Sequence, residues 1–214
     1  MIYAENILIC IAVPLIITLV FLSGKTRLFT ASFLLGMSVC LIAAYVSGYI
    51  TVISDMTKDN VQVFISPVIE ELMKFMPLVL YLMLIEPEDK NLFSACLGIG
   101  AGFATFENCC YILSFGAESL SFILIRGLSV GVMHIVSILT LTVGLVLARR
   151  FHALTIAALF GAVSLSMIFH GLYNLLVSEP GISTYIGFSL PIVTAICLHV
   201  LYRRIDHSAA TSLG

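Results

Sequence analysis

The residues able to do chemistry in this 214-residue chain stand out because they interrupt apolar sequence: Glu70, Glu71 and Lys74, then Glu107 with Asn108, then His134, then His170 with Asn174. Glu70 and Lys74 are four residues apart, as are His170 and Asn174, so on a helix each pair shares a face. Glu71 projects about 100° away from Glu70, so the two carboxylates are free to play different roles. Peptide hydrolysis needs a base to activate water and donors to hold the oxyanion. Glu70, with Lys74 one turn on, fits the base. His170 and Asn174 fit an oxyanion and positioning pair. Glu71 and Lys74 are then structural or tuning partners, and Glu107 and His134 complete the shell around the water. Carboxylates and imidazoles also bind zinc. A metal mechanism would use Glu70, Glu107, His134 and His170, although no H-E-x-x-H occurs. The expectation is a glutamate-activated water without a metal cofactor, with zinc as the alternative.

These groups must be positioned by membrane helices. The chain is 60% hydrophobic and 10% charged, with a mean hydropathy of +1.13. A soluble domain carries roughly a quarter charged residues, so too few exist here to coat a water-facing surface. The net charge of -2 and the lack of a basic stripe exclude a nucleic-acid partner. A spanning helix needs about 20 apolar residues. Seven stretches qualify: 2–23, 28–53, 61–85, 92–115, 126–148, 153–178 and 182–202. The first is read as a span and not as a cleavable signal, because Glu5 stands where a basic segment belongs. The fold class expected is an all-α, polytopic transmembrane bundle of about seven spans. Residues 1–214 form one integral membrane domain, and 61–178 hold the motif-bearing four-helix core.

Lys25, Arg27, Lys90, Arg149, Arg150, Arg203 and Arg204 fall on connections of one parity, and Lys58 alone on the other. The positive-inside rule then puts the N-terminus outside and the C-terminus in the cytoplasm. At about 1.5 Å per residue, Glu70, Glu107 and His170 lie roughly 12–14 Å below the outer face, and His134 at a similar depth if the fifth span enters at Arg126. Four helices thus bring polar groups to one level. By the insertion scale, Glu70, Glu71, Lys74 and Glu107 together cost on the order of 10 kcal/mol in the bilayer, so they must pair or face a wet cavity.

Other features have plainer readings. Pro67 and Pro77 bracket the glutamate pair and can kink their span. Gly98 and Gly102 form a close-packing pair, and Gly127 with Gly131 a second that would draw the fifth helix onto a neighbour. Arg126 is expected to anchor the fifth span at the outer interface, with a charge partnership to Glu107 as the alternative, and 119–125 to lie along that interface. The six cysteines form no C-x-x-C pair and read as core. His152 and His207 read as solvated, and His199 as lying far from the outer-half cluster. No serine has a basic partner at a catalytic spacing, and no aspartate pair lies within a span. Embedded carboxylates and histidines also mark proton or ion pathways, so a proton- or ion-coupled transporter is the rival class.

The ordered set Glu70-Glu71-x-x-Lys74, Phe103-x-x-x-Glu107-Asn108, a lone His134 and His170-x-x-x-Asn174 resembles the PrsW family of intramembrane proteases. That family is related to the CAAX-prenyl endopeptidases and bacterial CPBP proteins. The match covers about half the chain, and its motifs stand each on a separate span. The prenyl endopeptidases have His where Glu107 stands and Arg where Lys74 stands. The resemblance implies an intramembrane endopeptidase of a prokaryotic cell (inner) membrane, acting on a single-pass or lipid-anchored membrane protein such as an anti-sigma-factor-like regulator.

Overall fold

The computed structural model describes residues 4–116 and 119–211, without the side chains of 115 and 201–211. Arg203, Arg204, Asp206 and His207 therefore lie outside the described side chains. Among the described residues there is no strand. Seven main helices follow in order: α1 (Ala4–Leu19), α2 (Gly24–Ile53), α3 (Ser66–Ile85), α4 (Asp89–Phe115), α5 (Leu120–Arg150), α6 (Thr155–Ser178) and α7 (Ile182–Thr211). α2 and α4 to α7 are long and apolar enough to cross a membrane. α1 is shorter at 16 residues, and α3 carries Glu70, Glu71 and Lys74 within its first three turns. The chain is an integral membrane protein built from helices.

Local sequence explains where these helices begin and end. Thr57 accepts from the Asn60 backbone N–H at 3.3 Å, capping a single turn, Lys58–Asn60. That turn runs into a π-helical stretch, Val61–Ile65, and then into α3. Pro67 sits in the first turn of α3, where its missing N–H costs little. α3 stops at Glu86, a left-handed residue followed by Pro87. Ser119 caps α5 by accepting from the Phe122 N–H at 3.2 Å. Residues 120–125 thus belong to α5, and the expected interfacial segment is the helix's first two turns. Arg149, at the far end of α5, reaches the Pro87 carbonyl at 2.6 Å and the Asp89 carboxylate, which ties the α3–α4 connection to the bundle.

In a lipid solvent, apolar burial drives helix association weakly, so close approach and packing carry it. α2 and α4 meet most closely. A Cβ on Gly36 would stand 2.1 Å from the Ile99 carbonyl oxygen, and one on Gly102 would stand 2.0 Å from that of Phe33. Gly98 is similarly pressed against Phe29, so the Gly98/Gly102 pair packs as expected. The Gly127/Gly131 pair does not: nothing lies within 4 Å of a Cβ at either position. The spacing is the same, but among the described residues nothing packs against those two positions.

Three apolar clusters frame the centre. Leu78, Leu92, Cys96, Ile99, Ile138, Leu141 and Leu145 join α3, α4 and α5 toward one end. Met37, Val39, Cys40, Ala43, Phe103 and Phe106 join α2 and α4. Val130, Met133, Tyr173 and Phe188 join α5, α6 and α7. The polar site lies where α3, α4, α5 and α6 converge among them.

Candidate active site

α5 brings His134 and Ser137 inward, one turn apart, and both are fully buried. α3 meets it with Glu71 and Lys74, also fully buried. Lys74 Nζ lies 2.7 Å from Glu71 Oε1 and 2.7 Å from His134 Nδ1. An ammonium donates only, so His134 Nδ1 is the acceptor and the ring proton sits on Nε2. That Nε2 donates to Glu107 Oε2 at 2.5 Å. Glu107, on α4, has a side chain 32% exposed, the most exposed member of the group. Arg126 Nη2 stands 3.6 Å from the other Glu107 oxygen. The same guanidinium bonds Asn108 and lies over the Tyr111 ring, 3.5 Å from its centroid. Arg126 is thus the charge partner of Glu107, inside the helix and not at its entrance, because α5 begins at Leu120.

Glu71 is the hub. Its Oε1 accepts from Lys74 and from His170 Nδ1, the latter at 2.7 Å. Its Oε2 accepts from Ser137 and, at 2.7 Å, from Ser166. Four donors use a carboxylate's full acceptor capacity, which makes this buried charge tolerable. The expected pairing of Lys74 with Glu70 is corrected here: a helix allows i,i+3 as well as i,i+4 contacts, and Lys74 turns to the carboxylate that also meets α5 and α6. Sequence reasoning missed Ser137 and Ser166. Their signal was spacing, since Ser137 follows His134 by three residues and Ser166 precedes His170 by four.

Glu70 is arranged differently. Its Oε2 is shielded from solvent and has no hydrogen-bond partner. It stands 3.7 Å from His170 Nε2. In the neutral imidazole with Nδ1 donating to Glu71, Nε2 presents a lone pair. Two acceptors therefore face each other in a buried place, an arrangement suited to a cation or a shared donor between them. Ligand atoms of Glu70, His134 and His170 lie within 4.8 Å of one another. The His134 and His170 rings meet edge-on at 5.2 Å. Zinc donors sit about 2.0–2.2 Å from the ion, so Glu70 and His170 are close enough to share one. Glu107, engaged by His134 and Arg126, is outside this donor set, and His134, whose two nitrogens serve Lys74 and Glu107, has no lone pair left for an ion. Asn174 Nδ2 donates to the Gln62 carbonyl of the π stretch at 3.1 Å, so this amide ties α6 to the lead-in of α3.

Glu70, Glu71, Lys74, Glu107, His134 and His170 thus form one continuous network of polar contacts on four helices, ending at Arg126 on its more exposed side. Comparison with curated proteins and with solved structures gives no match. The family model described as PrsW family intramembrane metalloprotease matches residues 24–202, spanning α2 through most of α7. The chain belongs to the PrsW family of intramembrane proteases.

Proposed function

We propose that the chain is an intramembrane endopeptidase whose reactive centre lies between Glu70 and His170, with a divalent cation such as zinc held between Glu70 Oε2 and His170 Nε2. The observation that carries this is the buried, unpartnered Glu70 Oε2 facing the His170 Nε2 lone pair at 3.7 Å. A carboxylate–histidine pair behind a metal ligand, as Glu71 stands behind His170, is the usual means of fixing a ligating ring. A cation in that position supplies Lewis-acid chemistry, polarising a carbonyl and acidifying water. The chain's own residues do the rest. Glu71, held by Ser137, Ser166 and Lys74, orients His170. The Glu70 oxygen that is not on the cation takes the proton of the attacking water, and the His134–Glu107 pair relays protons toward the more exposed side. The substrate class that fits is a single-pass or lipid-anchored membrane protein, an anti-sigma-factor-like regulator among them. Seven spans, with the N-terminus outside and the C-terminus in the cytoplasm of a prokaryotic cell, put the site in the outer half of the bilayer.

A metal-free reading is favoured by one observation: Lys74 donates to His134 Nδ1, which commits the Nε2 proton to Glu107. In that reading Glu70 and His170 Nε2 hold the water directly. Metal analysis of purified wild type, Glu70→Gln and His170→Ala separates the two. About one zinc per active chain, lost in both variants, with cleavage abolished by chelator and restored by zinc, supports the cation. Full activity in chelator with no bound metal overturns it in favour of the glutamate-type reaction.

A further inference from the structure

We propose that Arg126 is a positioning residue of the reaction: it grips one oxygen of Glu107 so that the other stays on His134, and thereby holds the imidazole that carries protons away from the reacting centre. The inference rests on the hydrolytic reading of Glu70 and His170. Arg126 lies inside α5, which begins at Leu120, and its side chain is only 14% exposed. A cation within a membrane helix is costly, and one that merely anchored the helix would snorkel to the interface. Arg126 turns to α4 instead. Its Nη1 donates to Asn108 Oδ1, its Nη2 stands 3.6 Å from Glu107 Oε1, and its guanidinium carbon lies 3.5 Å from the Tyr111 ring centroid. Glu107 and Tyr111 are four residues apart, and Asn108 and Tyr111 three, so one side of α4 presents all three. Stacking on the ring sets the guanidinium plane, and its fork then holds Asn108 and Glu107 together. A lysine ammonium has no such fork.

The grip matters because Glu107 is the exposed end of the network. Its side chain is 32% exposed, so water competes for its oxygens, and a carboxylate held at one point turns toward that water. With Oε1 facing Arg126, Oε2 stays 2.5 Å from His134 Nε2. The His134 ring is fully buried, and its Nδ1 accepts from Lys74 at 2.7 Å. Lys74 therefore fixes one ring nitrogen and Glu107 the other. That ring meets His170 edge-on, 5.2 Å between centroids, and one of its nitrogens lies within 4.8 Å of ligand atoms of Glu70 and His170. Two contacts, Arg126 to Glu107 and Glu107 to His134, separate the guanidinium from a ring beside the reactive carboxylate. Loss of Arg126 frees Glu107 to leave His134, and the Nε2 proton then has no acceptor through which to depart.

The test is a double-mutant cycle of wild type, Arg126→Gln, Glu107→Gln and the double variant, purified and reconstituted in vesicles, with Tm measured on each. The substrate is a quenched fluorogenic peptide carrying one apolar helix of about 20 residues with a polar flank. Arg126→Gln is expected to lower kcat by about tenfold or more, the size seen for contacting groups of one network, with KM unchanged. In the Glu107→Gln background the same change is expected to have no further effect, because Arg126 acts through that carboxylate. Equal falls in both backgrounds overturn the proposal, since Arg126 then acts independently of Glu107. So does a raised KM at wild-type kcat, which makes Arg126 a substrate contact. A lowered Tm with wild-type kcat per folded chain makes it merely structural and overturns the proposal as well. Where Arg126→Gln does not fold, Arg126→Lys keeps the charge, loses the fork and carries the same cycle, with the same expected and contrary results. Glu70→Gln runs alongside. If it is inactive while Arg126→Gln is as fast as wild type, only the positioning role falls; if it is as fast as wild type, the hydrolytic reading falls too.

Discussion

Lys74 Nζ and Glu71 Oε1 lie 2.7 Å apart, and both side chains are fully buried. This pair, and not Glu70, is the structural half of the glutamate doublet. Breaking a buried ion pair by removing one partner typically costs about 3–5 kcal/mol, because the other charge is left uncompensated. Glu71→Ala and Lys74→Ala should each lose folded protein, read as a large drop in Tm in detergent. The double variant Glu71→Ala with Lys74→Ala should be less destabilised than the sum of the two single changes. Additive losses would mean that the pair is not coupled as described.

The two glycine pairs should respond oppositely. Gly102→Ala places a methyl 2.0 Å from the Phe33 carbonyl oxygen, which backbone cannot relieve cheaply. Overpacking of this kind costs about 1–3 kcal/mol. Gly127→Ala and Gly131→Ala meet open space and should leave Tm unchanged or raise it by the helix propensity of alanine, about 1 kcal/mol. Thermal unfolding of the three variants decides this. A destabilised Gly131→Ala beside a neutral Gly102→Ala would contradict the α2–α4 contact.

Asn174 should act through α3. Its amide holds the Gln62 carbonyl in the π stretch immediately before the glutamates, and π-helical turns recur at functional sites. Asn174→Ala should loosen residues 61–65, seen as faster amide exchange there, and should slow cleavage while leaving measurable activity. Unchanged exchange with a total loss of activity would place Asn174 at the reacting atoms instead.

Much of this arrangement was legible because apolar sequence makes each embedded charge conspicuous. Glu70, Glu71, Glu107, His134 and His170 had to find one another or water, and four helices carry them to one network. What stayed hidden depended on direction. Lys74 can reach Glu70 or Glu71 from the same helix, and the choice is made by where α5 and α6 place His134 and His170. Ser137 and Ser166 were passed over because a serine in a membrane helix ordinarily bonds its own backbone, and sequence does not show that Glu71 lies within reach. Gly98/Gly102 and Gly127/Gly131 have identical spacing, and only the first pair has a neighbouring helix against it. Arg126 was read as opening its span, whereas α5 begins six residues earlier at Leu120, and the Glu107 partnership offered as the alternative is the contact it makes.

The central claim is that Glu70, unpartnered and facing His170, is the reactive carboxylate, whereas Glu107 is an auxiliary held by His134 and Arg126. Initial cleavage rates of wild type, Glu70→Gln and Glu107→Gln in the same vesicles, with Tm measured on each preparation, test it most directly. The expected result is no detectable cleavage by Glu70→Gln at near wild-type Tm, since that carboxylate oxygen holds nothing in the fold, and reduced but measurable cleavage by Glu107→Gln. Normal cleavage by Glu70→Gln beside an inactive, folded Glu107→Gln would contradict the account and move the reactive carboxylate to α4.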